Sequence, residues 1–310
     1  MKRRNFIKKT SCTLALGSLG GTAMAAEIPL VWSSNVSNKA YFTLKYAPSL
    51  DTFSISAGKD PVDNLKFIAD QGFRAFFDLN MILRSPEEQE KIANEARKLG
   101  LESGEFSLKT GNGPHFVLNS KESRDVLKAK MKDALEVQKR TGINTGLILL
   151  GNTASKLHIE YQTVHVIENL RMCCDIVGKS GLILVMEPLN TLVSSPGFFL
   201  NRTTQAKMIC VAVNHPCCKM VNDLYHQQIT EGNLIPNLEE CWNHIGAIHV
   251  GDHPGRWEPT TGEINYKHIF KWFYDKKYNG VISCEHGKSK SGKEGEMALI
   301  QAYREVDPVV

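Results

Sequence analysis

Four side chains, each closing an apolar run, carry the clearest chemistry in the sequence. The runs end Met186-Glu187-Pro188, Asn222-Asp223-Leu224, Ile248-His249-Val250 and Cys284-Glu285-His286, so the polar groups recur at intervals of 36, 26 and 36 residues. A carboxylate isolated among buried strand residues loses roughly several kcal/mol of hydration, and a bound cation removes that cost. Three carboxylates and one imidazole suit one mid-hardness divalent ion, Mn2+, Mg2+, Co2+ or Zn2+, with positions left open for substrate oxygens. Any one acid at a strand end is more often a helix N-cap or an ion-pair partner. Four in phase on consecutive units fit that reading poorly. Moving a carbonyl by one carbon, or inverting the neighbouring centre, needs a base for a weakly acidic C–H proton and a Lewis acid for the enediolate. Glu187 and Glu285 belong to runs that are not consecutive, so they would approach a substrate from different sides. One shared base gives a 1,2-shift; two opposed bases give epimerisation.

Bringing four runs to one place requires a repeating scaffold. Thr43–Ala47, Phe73–Asp78, Leu101–Phe106, Thr145–Leu150, Leu182–Glu187, Lys219–Asp223, Ile245–His249 and Gly280–Glu285 read as buried strands. Amphipathic stretches lie between them. Asp60-Pro61-Val-Asp63 and Ser85-Pro86-Glu87-Glu88 each pair an N-cap with a proline at the first helical position, and these helices are predicted to close at Gly72 and Gly100. Eight strands, each followed by a helix, predict an α/β fold: a single-domain (β/α)8 TIM barrel over residues 26–310, with its site where strands end. A doubly wound sheet would call for a glycine-rich phosphate loop, and neither standard spacing occurs.

Residues 1–25 read as a cleavable signal peptide. A basic cluster precedes a short apolar stretch broken by Gly17, Gly20 and Gly21, and Ala23-Met24-Ala25 offers the cleavage signal. Arg3-Arg4-Asn5-Phe6-Ile7-Lys8 resembles the twin-arginine leader, so a periplasmic or secreted protein without a permanent membrane anchor is expected. The net charge of +4 includes Lys2, Arg3, Arg4, Lys8 and Lys9, so the rest is close to neutral and no nucleic-acid partner is expected. Removing the leader's Cys12 from eight cysteines leaves an odd seven, with two adjacent pairs and no zinc-type spacing; small buried thiols are expected.

Two further residues look toward the site. His226, three positions beyond Asp223, would hydrogen-bond a substrate oxygen or polarise a carbonyl; otherwise it is a solvated loop histidine or a cap. Arg256 lies in the Gly/Pro-rich segment 251–265, where its fork would clamp a carboxylate or terminal hydroxyl, or else pair with Glu258 or Glu263. His253 and Trp257 of the same segment would close over a substrate or simply pack the loop.

Met186-Glu-Pro-Leu-Asn190, Asp223-Leu-Tyr-His-Gln-Gln-Ile-Thr-Glu-Gly-Asn-Leu234 and Pro254-Gly-Arg-Trp-Glu-Pro-Thr-Thr-Gly-Glu-Ile-Asn-Tyr266 resemble hydroxypyruvate isomerase and its relatives among the xylose-isomerase-like barrels, which include tagatose 3-epimerase and inosose-type enzymes. The likeness spans the chain after the leader and is specific in the C-terminal half. It implies one divalent metal on Glu187, Asp223, His249 and Glu285, proton transfer by Glu187 and Glu285, and substrate contacts from His226 and Arg256. The expected activity is a metal-dependent isomerase or epimerase of a small hydroxy-carbonyl compound or sugar. A metal-dependent lyase or dehydratase starts from the same enediolate, and a non-catalytic periplasmic sugar-binding barrel is the remaining rival. The family's apurinic endonucleases would need more metal-ligating histidines and a basic groove. Asp78, Asn80, Glu105 and Asn152, at the ends of the first strands, carry no family signature, so the compound is not read. The state of assembly is left open, a homo-oligomer included.

Overall fold

The computed structural model describes residues 41–309; the leader read over residues 1–25 lies outside them. Among the described residues, strands β1 (Lys45–Pro48), β2 (Ala75–Phe76), β3 (Glu102–Ser103), β4 (Phe106–Ser107), β5 (Thr145–Ile148), β6 (Ile183–Met186), β7 (Cys218–Asp223), β8 (Ile245–His249) and β9 (Val281–Cys284) run among nine α-helices. These are α1 (Pro61–Asp70), α2 (Pro86–Leu99), α3 (Lys121–Thr141), α4 (Ile159–Val177), α5 (Thr203–Val213), α6 (Leu224–Thr230), α7 (Leu234–Cys241), α8 (Tyr266–Asp275) and α9 (Gly292–Val306). The predicted caps form as read. Asp60 accepts from Val62 N–H at 2.8 Å, Ser85 accepts from Glu88 N–H at 3.2 Å, and α2 stops at Gly100 in the left-handed region.

Every strand pairing is parallel. Seven strands make one curled sheet in the order β1-β9-β8-β7-β6-β5-β4, and β2 pairs with β3 apart from it. Backbone hydrogen bonds at the residues just after β2 tie that pair to both edges of the larger sheet, two on one side and one on the other. Beside β1, Phe77 N–H donates to the Pro48 carbonyl at 3.1 Å and Leu50 N–H to the Phe77 carbonyl at 2.9 Å; on the other side, Ser107 N–H reaches the Leu79 carbonyl at 3.4 Å.

Leu101–Phe106, expected as one strand, is corrected here: it breaks at Gly104-Glu105 into β3 and β4. The chain passes too close to its neighbours for a side chain at the break. A Cβ on Gly104 would stand 2.9 Å from Phe77 Cβ and 3.0 Å from Ser283 Oγ. The unit after β7 also differs, since it carries two helices, α6 and α7.

The strands bury both faces. Ile148, Leu184, Met186, Met220, Ile248 and Ile282 join the large core shared with the helices. On the other face Leu147, Val185, Val221 and Ala247, one from each of four adjacent strands, form their own apolar layer. Strand side chains alternate with period two. Two residues beyond Val185, Val221 and Ala247 come Glu187, Asp223 and His249, so the inner layer is roofed by polar groups at the C-terminal ends of the strands. The seven cysteines among the described residues are all unpaired and buried, as expected. Among the described residues, no helix is long and apolar enough to cross a membrane.

Candidate metal centre

The roof of the inner layer brings Glu187, Asp223, His249 and Glu285 together. One ligand atom from each lies within 4.8 Å of every other. His249 Nδ1 is 3.1 Å from Glu285 Oε2 and 3.4 Å from Glu187 Oε1. All four are buried except Glu285, which keeps a partly open edge.

Asp223 shows how one side chain serves fold and site together. Its Oδ1 caps α6, accepting from Tyr225 N–H at 2.8 Å and His226 N–H at 3.2 Å. Its Oδ2 faces inward, 3.1 Å from Arg256 Nη2 and 3.7 Å from His226 Nε2. The cap takes Oδ1 and leaves Oδ2 facing the cluster.

His226 is neither solvated nor in a loop: it is buried in the first turn of α6. Its Nδ1 accepts from the backbone N–H of Asn190 at 3.1 Å, which leaves the ring proton on Nε2, aimed at Asp223 and the site. Burial lowers its pKa, with Arg256 adding to the effect, so the ring is a neutral donor.

Arg256 does not pair with Glu258 or Glu263. Its Nη2 contacts Glu285 Oε2 at 2.6 Å as well as Asp223, and the guanidinium stacks 5.0 Å from the centre of the Tyr225 ring. Glu258 instead accepts from Ser289, and Glu263 pairs with His253. Segment 251–265 is pinned from inside by Asp252, a buried carboxylate to which the sequence reasoning gave no role. It accepts from the N–H groups of His253, Gly262 and Ile264 at 2.9, 2.8 and 3.0 Å. Arg256 itself adopts φ 53°, a left-handed conformation costly for a residue with a side chain, which this loop enforces. His253 is half-buried against Glu263, and Trp257 remains well exposed.

Glu105 is the group whose role sequence reasoning missed. It sits at the break between β3 and β4, buried, with Oε1 at 2.9 Å from His249 Nε2 and Oε2 accepting from the Ser283 hydroxyl at 3.1 Å. Asp78, Asn80 and Asn152 stay out of the cluster. Asp78 is held by Arg84 at 2.6 Å, Asn80 accepts from Lys109 Nζ at 2.8 Å, and Asn152 forms an isolated bridge with Phe198.

The electrostatics are those of a crowded acidic site. Burial, then the charge of Glu285, pushes the Glu187 carboxyl up to about 7. Burial acts the same way on Glu285, but the imidazole of His249 and the guanidinium of Arg256 outweigh it and hold that carboxyl down. Burial also disfavours charge on His249; Glu105 and Glu285 outweigh it and raise its pKa well above the usual range. Glu187 Oε1 is fully buried with no hydrogen-bond partner, an oxygen that a cation among these donors would satisfy. The donor set and this orphaned atom fit one divalent ion. A second group, Cys174, His215 and Cys217, also brings ligand atoms within 4.8 Å. There Cys217 N–H donates to His215 Nδ1 at 3.2 Å and Cys217 Sγ meets the Cys174 carbonyl at 3.8 Å, so the fold already engages these atoms.

Comparison with known proteins agrees with this architecture. The hydroxypyruvate isomerase of Escherichia coli (strain K12) is 35% identical over 158 residues, 50% of this chain and 60% of that enzyme. The chain thus spans three fifths of that relative's length. The crystal structure of an AP endonuclease, family 2, from Brucella melitensis superposes with TM-score 0.71 at 23% identity, covering 81% of this chain and 96% of that one. The E. coli 3-keto-D-glucoside 4-epimerase superposes with TM-score 0.70 at 17% identity, covering 85% and 98%. The family described as xylose isomerase-like TIM barrel matches residues 65–305. With its curled parallel sheet and its polar cluster at the strand ends, the chain belongs to the xylose isomerase-like TIM barrel family, as a hydroxypyruvate isomerase-like member.

Proposed function

We propose that this protein is a divalent-metal-dependent isomerase or epimerase of a small hydroxy-carbonyl compound, with Glu187, Asp223, His249 and Glu285 as the metal ligands. The observation that carries this reading is the convergence of those four ligand atoms within 4.8 Å around a buried, unpartnered carboxylate oxygen. Hydroxypyruvate isomerases and 2-oxo-tetronate isomerases among its relatives favour a 2-oxo acid or a short sugar as substrate. When bound, the ion supplies Lewis-acid stabilisation of negative charge developing on the substrate's oxygens.

The remaining work falls to side chains. Glu187 has a carboxyl pushed up to about 7, the range in which a group both takes and returns a proton near neutral pH. Glu285 is held ionised by His249 and Arg256 and serves as the second base, where inversion of a centre requires one. Neutral His226 donates its Nε2–H to a substrate oxygen. Arg256 is fixed by its loop and stacked on Tyr225, and it turns its fork to a substrate carboxylate or hydroxyl. The inner apolar layer of Leu147, Val185, Val221 and Ala247 seals the floor against water.

The test is hydrogen exchange. Protein reconstituted with Mn2+ is incubated in heavy water with hydroxypyruvate, other 2-oxo acids and short ketoses. Solvent deuterium entering a substrate C–H position, dependent on the metal, supports the reading. Stoichiometric metal with no exchange in any of these compounds would leave a binding protein instead.

A further inference from the structure

The break at Gly104-Glu105 places a fourth carboxylate beneath the metal-ligand cluster. From it we infer that Glu105 is a positioning residue that fixes which nitrogen of His249 meets the metal. The inference rests on the metal reading of the site.

The geometry leaves the ring few choices. His249 is fully buried on β8, with Glu105 Oε1 at 2.9 Å from Nε2 on one side and Glu285 Oε2 at 3.1 Å from Nδ1 on the other. Carboxylates only accept, so without a metal each ring nitrogen donates a proton, Nε2 to Glu105 and Nδ1 toward Glu187 and Glu285. A cation among Glu187, Asp223 and Glu285 would take the place of the Nδ1 proton, while Nε2, facing Glu105 away from those donors, keeps its own. Glu105 is itself held. Ser283, on β9 two positions before Glu285, donates its hydroxyl to Oε2 at 3.1 Å. One strand therefore supplies a ligand at its end and, one inward position below, the group that orients another ligand's partner.

Local chain geometry makes the contact. A regular strand through 102–107 would alternate without interruption; the break between β3 and β4 re-aims one side chain, as irregularities beside active sites do. Gly104 is required there, because a Cβ would press on Phe77 Cβ and on Ser283 Oγ, the same hydroxyl that holds Glu105. A carboxylate accepting from the far nitrogen of a ligating imidazole fixes its tautomer and strengthens it as a donor. Removing such a partner typically weakens metal binding by about 10- to 100-fold.

The experiment uses the full protein and Co2+, followed by its visible absorption, together with nitrogen NMR of histidine-labelled, Zn2+-loaded protein. In the wild type, His249 is expected to show a protonated Nε2 and a metal-bound Nδ1. Glu105→Gln should weaken Co2+ binding about 10- to 100-fold, because the amide accepts less strongly and its NH2 group can turn to the ring. Ser283→Ala, which leaves Glu105 in place but unbuttressed, should act in the same direction by a few-fold. It keeps the inference testable if the first variant does not fold. Co2+ affinity unchanged in Glu105→Gln, or in Ser283→Ala should only that variant fold, overturns the inference, as does a metal-bound Nε2 in the wild type. Failure of the wild type to bind Co2+ at all would instead remove the metal reading on which it rests.

Discussion

Replacing Glu187 by glutamine should separate the metal site's charge from its shape. Around the cluster stand four carboxylates, Glu105, Glu187, Asp223 and Glu285; once His249 gives up a proton to act as a ligand, Arg256 is the one fixed positive charge among them. The surplus of negative charge favours a divalent ion. Metal at about 100 times its dissociation constant stabilises a fold by about 2.7 kcal/mol, which at roughly 2–4 °C per kcal/mol raises the unfolding temperature by about 5–11 °C. Glu187→Gln removes a unit charge from beside the ion; two unit charges about 4 Å apart are worth on the order of 4 kcal/mol at an effective dielectric of about 20, a lower bound for a divalent ion held closer. That is roughly a thousandfold in affinity. At the same metal concentration the variant is almost empty, and its metal-induced shift should vanish, while the metal-free protein unfolds at or above the wild-type temperature because a buried carboxyl oxygen without a hydrogen-bond partner is gone. Differential scanning calorimetry with chelator, then with Mn2+, reads both numbers. A variant that kept the full metal-induced shift would refute Glu187 as a ligand, and a metal-free variant markedly less stable than wild type would refute the charge argument.

Other expectations follow from the same geometry. Glu285→Gln should abolish solvent-deuterium exchange while the circular dichroism spectrum stays unchanged; undiminished exchange removes Glu285 from the mechanism. His226→Ala should lower kcat/KM by roughly 10- to 100-fold with Co2+ affinity little changed, and steady-state kinetics beside a metal titration would show whether both halves hold. Asp252→Ala strips three backbone N–H groups of their buried acceptor and should cost about 3–5 kcal/mol in urea unfolding, with a higher KM as Arg256 loses its fixed loop. Glu296 is buried and accepts from the N–H groups of Ile55 and Ser56 at 3.0 and 2.9 Å; burial alone would raise its pKa, but these bonds and Lys288 outweigh it and lower the value. Its contribution is therefore full above the unfolded carboxylate pKa of about 4.3 and fades as pH falls through the folded value. Glu296→Gln should cost about 1–3 kcal/mol at pH 7, and denaturant titrations at descending pH should show the two proteins converging below pH of about 4; a constant gap would sink the assignment.

Which parts of this were legible in the sequence follows from distance along the chain. Caps and turns are local, so Asp60-Pro61, Ser85-Pro86 and Gly100 announced α1 and α2 with their ends, and apolar runs marked the strands to within a few residues. The convergence of Glu187, Asp223, His249 and Glu285 was legible too, because parallel units repeat and place strand ends at one phase, so phase in the sequence becomes height in the sheet. His226 and Arg256 were flagged, and each then took a partner the sequence had not indicated: Asn190, which fixes the tautomer of His226, and Asp223 with Glu285, which draw Arg256 inward.

Glu105 and Asp252 mark the limit. Both are single acids amid unremarkable residues, and their roles depend on atoms far away in the chain: Glu105 meets His249 across 144 positions and Ser283 across 178. The period of a strand tells which face a residue takes only while the strand is regular. The break at Gly104-Glu105 resets that count, and only packing of the backbone against Phe77 and Ser283 reveals it. Residue type and rhythm thus determined what could be gathered at the strand ends. The tertiary structure decided which oxygen caps a helix, which nitrogen keeps its proton and which charge is left unmatched, because those depend on ångström-scale contacts among residues that the linear order keeps apart.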